Sequence, residues 1–195
     1  MATVRIEKPR AFQGTKDIVL TLLVLLVVTF LTVGFTGLCS VNPGKPAAKG
    51  PVQRVDEATF LKMEARGVNY PVRDPKMPEN WIPNSARRVQ TGGETGTLVG
   101  WVIDGENYIS LTQTSAPLKK AEHPDDKARE EVGTEKVGGQ EWKVLKGDEA
   151  RTLWVADMHD VRLILEGMAP DDQIRTAAEK VTQAQPIDTK KPITG

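Results

Sequence analysis

The stretch LVGWVIDGENYISLTQ, residues 98–113, decides the fold class. Leu98 to Ile103 and Tyr108 to Gln113 are runs rich in β-branched and aromatic residues. Asp104, Gly105, Glu106 and Asn107 between them read as a hairpin loop, so two antiparallel strands are predicted. Working toward the C-terminus, Glu141 to Leu145, Thr152 to Ala156 and Val161 to Leu165 form a second group of strands. They are separated by Gly147-Asp148 and by Asp157 to Asp160. The sum is a meander of about five strands. After Pro170, Asp171 or Asp172 starts a helix in which Ile174, Ala177, Ala178 and Val181 recur at i, i+3, i+4 and i+7. One apolar face is thereby offered to the sheet. The expected class is α+β, an antiparallel sheet with a C-terminal amphipathic helix packed on one face.

Working toward the N-terminus, Pro71, Pro75, Pro78 and Pro83 punctuate a segment that suits neither a central strand nor a continuous helix. Before it, Asp56 can cap a short helix with Ala58, Leu61 and Ala65 on one face and Gly67 as a left-handed stop. Pro117 to Val132 is highly charged, and Asp125 to Glu131 is expected to form exposed helical turns. The soluble domain is thus expected over residues 55–184, with a disordered tail over 185–195.

Upstream of the domain, residues 39–54 carry Pro43, Gly44, Pro46, Gly50 and Pro51, the composition of an extended tether. Before the tether, Ile18 to Leu38 is free of charge and built from Leu, Val, Ile, Phe, Thr and Gly. At about 1.5 Å per residue it spans roughly 30 Å, the thickness of a bilayer's hydrocarbon core. One transmembrane helix is expected there. Its apolar run is longer than the core of a cleaved signal. Arg5, Lys8, Arg10 and Lys16 precede the helix, and Lys45, Lys49 and Arg54 follow it. That bias predicts a cytoplasmic tail over 1–17 and a C-terminal domain outside the cytoplasm, a single-pass protein of the cell membrane. Gly34 and Gly37 make a small-residue patch without GxxxG spacing.

The composition removes several classes of function. The chain of 195 residues balances 26 basic against 26 acidic residues, so it has no electrostatic footprint for nucleic acid, and none is expected as a partner. Cys39 is the only cysteine, which excludes an internal disulfide, a cysteine metal cluster or a CxxC redox pair. No GxSxG elbow is present. Gly92-Gly93 with Gly96 lacks a Walker lysine and reads as a loop, and Gly138-Gly139 reads as a tight turn. No cofactor is expected.

Two groups of residues carry possible chemistry. Asp157, His159 and Asp160 would offer acid/base or metal-ligating groups on one face if the strand continued through them. The competing reading is a hairpin turn, and His123, before Pro124, reads as a solvated loop residue. Trp101, Trp142 and Trp154 lie in strands and are expected to fill the core, whereas Trp81 among prolines suits either a core plug or a pocket wall. Arg87-Arg88 beside it suits an anion or a structural staple. Trp81, Arg87 and Arg88 are therefore the candidate ligand or partner surface.

The run Pro78-Glu79-Asn80-Trp81-Ile82-Pro83-Asn84-Ser85-Ala86-Arg87 is similar to a motif of Pro, any residue, Gly, Trp, two residues, Ser, Ala, Arg, with Asn80 where Gly is usual and three residues, Ile82 to Asn84, where the motif has two. With Trp101, Tyr108 and Trp142 downstream, the chain resembles domain-of-unknown-function family 4245, single-span envelope proteins of actinobacteria. The resemblance implies location and architecture and brings no catalytic residue or cofactor.

The expected role is a non-enzymatic accessory or binding module of the cell envelope, its partner a membrane-complex protein, a lipid or a glycan. The alternative is a divergent hydrolase or metal-binding domain built on Asp157, His159 and Asp160.

Overall fold

A computed structural model describes residues 14–36 and 52–189, which fall in two separate compact units. In the first, α1 (Thr15–Thr36) is one uninterrupted helix. The hydroxyls of Thr21 and Thr29 each donate to the carbonyl four residues back at 2.7 Å, and that of Thr32 does so at 2.9 Å. These polar groups are therefore satisfied within the helix, as an apolar surrounding demands. Among the described residues it is the one helix long and apolar enough to cross a membrane, a property it shares with signal sequences. Cys39, Gly37 and the N-terminal arginines lie outside the described residues.

The second unit is built on a single seven-stranded antiparallel sheet. Its strands are β1 (Trp81–Thr91), β2 (Glu94–Ile103), β3 (Asn107–Thr114), β4 (Glu130–Val137), β5 (Gln140–Gly147), β6 (Ala150–Asp157) and β7 (Arg162–Met168). The spatial order is β1-β2-β3-β7-β6-β5-β4. Two hairpin-connected halves thus meet where β3 pairs with β7, Leu111 opposite Leu165. The expected five strands are β2, β3, β5, β6 and β7, and the sheet is larger than expected by its two edges. β1 was obscured by Pro83, Arg87 and Arg88, and β4 by its run of charge. An edge strand tolerates proline, and charge there discourages pairing with another chain. The chain also bulges at each edge, between Pro83 and Ser85 and between Glu131 and Gly133.

Side chains alternate across the sheet, so each strand serves two layers. On one face Trp101, Trp142 and Trp154 join Ile109, Leu111, Leu163 and Leu165 beneath two helices, α2 (Glu57–Glu64) and α4 (Asp171–Gln183). The helix α4 buries Ile174, Ala177, Ala178 and Val181, the four residues its periodicity marks. Asp56 caps α2 as expected, its carboxylate accepting from the Thr59 amide at 2.9 Å. Gly67 is not the left-handed stop expected of it, since its backbone keeps a negative φ. On the opposite face Leu145, Leu153, Val155 and Ile164 pack on Ala121 and Leu118 of a one-turn helix, α3 (Leu118–Ala121).

The charged stretch differs from its expectation in the same region. Residues 125–129 are not helical, and Arg129 is buried. Its guanidinium donates to the Arg151 carbonyl at 2.9 Å, to Asp125 at 2.6 Å and to Glu166 at 3.3 Å. Tertiary ion pairing thus replaces the local helix that the composition suggested. The chain after α4 also stays on the domain. Pro186 bridges Arg73, and the Ile187 amide donates to the Val72 carbonyl at 2.8 Å, so the tail expected to be disordered is tied down at its start.

Candidate functional site

The three candidate surface residues all fall on β1, and the strand's alternation, shifted by the bulge between Pro83 and Ser85, sets Arg87 apart from the other two. Trp81 points into the core and is 5% exposed. Arg88 shares that face, but it emerges beyond the C-terminal end of α2. Its Nε donates to the buried carboxylate of Glu64 at 2.6 Å, and this bond and charge hold the guanidinium pKa above its ordinary value. Arg87, opposite Leu98 in the β1–β2 register, faces the other side of the sheet and is exposed. Trp81 is thus the core plug of its two readings, and Arg88 is a staple between α2 and the sheet edge.

Beside Arg88 lies a pocket of about 300 Å³ whose walls include Gly67, Asn69, Tyr70, Glu94, Thr95 and Ser115. Four separate chain segments build it: the turn after α2, Arg88 of β1, the start of β2 and the residue after β3. Tyr70 is buried, and burial pushes its phenol pKa up, so it keeps its proton. One terminal nitrogen of Arg88 lies within 3.7 Å of where a Cβ on Gly67 would sit. Of these residues the sequence singled out only Arg88 as a candidate. The others are of mixed chemistry, scattered over some 50 positions, and no spacing rule connects them.

Asp157, His159 and Asp160 form the β6–β7 turn. The strand ends at Asp157, whose carboxylate accepts from the His159 amide at 2.8 Å and lies 3.4 Å from Arg162. His159 adopts a left-handed backbone with φ of 71°, so the continuous strand needed to place it beside Asp157 does not exist. Among the described residues no group of three or more His, Cys, Asp or Glu side chains is placed to hold a metal ion. His123 is exposed, as expected.

Two further polar contacts escaped the sequence. The Trp101 indole donates to Glu57 at 2.6 Å, joining the first turn of α2 to β2, and burial raises the Glu57 pKa. On the other face the hydroxyls of Tyr108 and Ser85 lie 3.0 Å apart across Gly100, and Arg151 stacks 5.4 Å above the Tyr108 ring.

The architecture agrees with the motif around Trp81, and a comparison of the whole chain decides its kinship. The family model described as protein of unknown function, DUF4245, matches residues 10–181. The chain belongs to the DUF4245 family. The match runs from α1 through nearly all of α4, so it takes in the apolar helix as well as the sheet. No curated protein and no solved structure shows significant similarity to this DUF4245 chain.

Proposed function

We propose that this DUF4245 protein is a single-pass protein of the cell membrane that presents a binding module outside the cytoplasm. On this reading it is an accessory of the cell envelope. The observation that carries the proposal is α1. Its uncharged run and internally bonded threonine hydroxyls make it stable in hydrocarbon, and the basic residues favour the N-terminal side as cytoplasmic. The binding role rests on the polar pocket beside Arg88, where a fixed ion pair adjoins open space.

The test is proximity labelling in the native membrane, with the labelling enzyme fused after Gly195. Enrichment of envelope or membrane-complex proteins is the expected result. Enrichment of cytoplasmic proteins overturns the orientation and the accessory role together, and release of a soluble processed chain from the membrane overturns the anchor.

A further inference from the structure

We infer that the pocket beside Arg88 binds an uncharged polyhydroxylated ligand, a single neutral saccharide residue; the inference rests on the binding-module reading above. The argument begins with charge. Arg88 is already neutralised by Glu64 at 2.6 Å, and Glu94 adds a second carboxylate to the wall. A ligand phosphate or carboxylate would therefore meet no net positive charge there. A ligand ammonium would face the Arg88 guanidinium. An anion is disfavoured by this sum, and an ammonium drawn to Glu94 is opposed by the neighbouring guanidinium, so hydrogen bonding without charge is the interaction that the whole wall supports.

The wall supplies such bonding in both senses. The Arg88 nitrogens not engaged by Glu64 are donors only, the Glu94 carboxylate is an acceptor only, and the Asn69 amide and Ser115 hydroxyl are both. Vicinal sugar hydroxyls, each a donor and an acceptor, match that set in a way that an apolar ligand does not. Glu64 holds the Arg88 fork in place before any ligand arrives, so little side-chain freedom remains to be lost on binding. A volume of about 300 Å³ lies at the lower end for ligand sites and suits one ring.

The experiment is saturation-transfer NMR on the full chain in lipid nanodiscs. The probes are methyl glycosides of neutral hexoses and pentoses, with glucuronic acid and glucosamine as charged comparisons. The expected result is saturable binding of at least one neutral glycoside. Asn69→Ala and Glu94→Ala should each weaken it about tenfold, as loss of one well-placed hydrogen bond does. Both residues are exposed, so these variants should fold, and an unchanged unfolding midpoint verifies it. Three results overturn the inference: no saturable binding of any neutral glycoside, preference for a charged sugar, or binding unchanged in both variants. If labelling in the membrane still identifies envelope neighbours, only the ligand class falls and the binding-module reading stands.

Discussion

The two faces of the sheet solve the same problem by different means. One face presents Trp101, Trp142 and Trp154 and is covered by the apolar stripes of α2 and α4. The other presents a smaller patch of Leu145, Leu153, Val155 and Ile164 under α3, and the chain beyond α3 is held by the buried guanidinium of Arg129. Burial of large apolar side chains is non-directional and scales with area, so the first face can be read from periodicity. A buried cation is tolerated only with its partners in place, and those come from distant positions. The difference teaches where this molecule is legible and where it is fragile.

The largest expected effect tests the apolar face. Trp101→Ala removes a fully buried indole and leaves Glu57 without its donor, so a loss of about 3–5 kcal/mol is expected in urea unfolding. That is a large share of the 5–15 kcal/mol typical of a domain. If Trp101→Ala cost less than Leu153→Ala on the other face, the ranking of the two faces would be reversed.

Next comes the polar clamp. Asp125→Asn with Glu166→Gln keeps shape but strips Arg129 of both anions, and about 3 kcal/mol is expected, the low end for an uncompensated buried charge because the Arg151 carbonyl remains. Arg129→Met, which removes the charge along with its need for partners, should cost less than the double variant. Equal losses would mean that Arg129 acts by volume alone, and the contrast between the faces would then vanish.

A smaller effect is expected at Gly100, where the ring of Tyr108 lies across the strand. A Cβ there would stand 2.0 Å from the Tyr108 hydroxyl and 2.6 Å from that of Ser85. Gly100→Ala should cost about 1–3 kcal/mol as an overpacking defect. Tyr108→Ala in the same chain should recover part of it, because the Tyr108 atoms in conflict are then gone and only the Ser85 hydroxyl remains close; additive losses would place the strain elsewhere.

These contrasts also explain what the sequence disclosed. The central strands β2, β3, β5, β6 and β7 are dense in Val, Ile, Leu and Trp, and α4 shows its stripe, because each must bury a face. The edges β1 and β4 have neighbours on one side only, so they accept Pro83, Arg87, Glu130 and Lys136 and lose the pattern that marks a strand. The order of strands was hidden for another reason: β3 pairs with β7 across nearly fifty residues, and no local signal encodes that choice. At the candidate site Arg88 was legible as a charge beside an aromatic motif. Its partner Glu64 and the pocket walls were not, since they converge only after α2 lies on the sheet.

The smallest expected effect is in pH dependence, and it separates the faces by sign. Burial raises the Glu57 pKa above its ordinary 4.5, against the Trp101 hydrogen bond that lowers it, with Asp74 raising it and Lys76 and Arg54 lowering it. The folded state therefore holds that proton more tightly than the unfolded chain. The resulting stabilisation is complete below pH 4.5 and is lost as pH rises through the folded-state value. Asp125 behaves oppositely: the Arg129 hydrogen bond lowers its pKa from 3.8, so its stabilisation is present above pH 3.8 and is lost as pH falls through the depressed value. Glu57→Gln keeps an acceptor for Trp101 while removing the titration. Its stability relative to wild type should improve as pH rises above 4.5, whereas Asp125→Asn should lose its deficit as pH falls below 3.8. Urea midpoints from pH 3 to 7 measure both differences. A Glu57→Gln difference that is flat across this range would mean that the carboxylate under α2 is as well solvated in the fold as in the unfolded chain, and the face read as dry would then be wet at its edge.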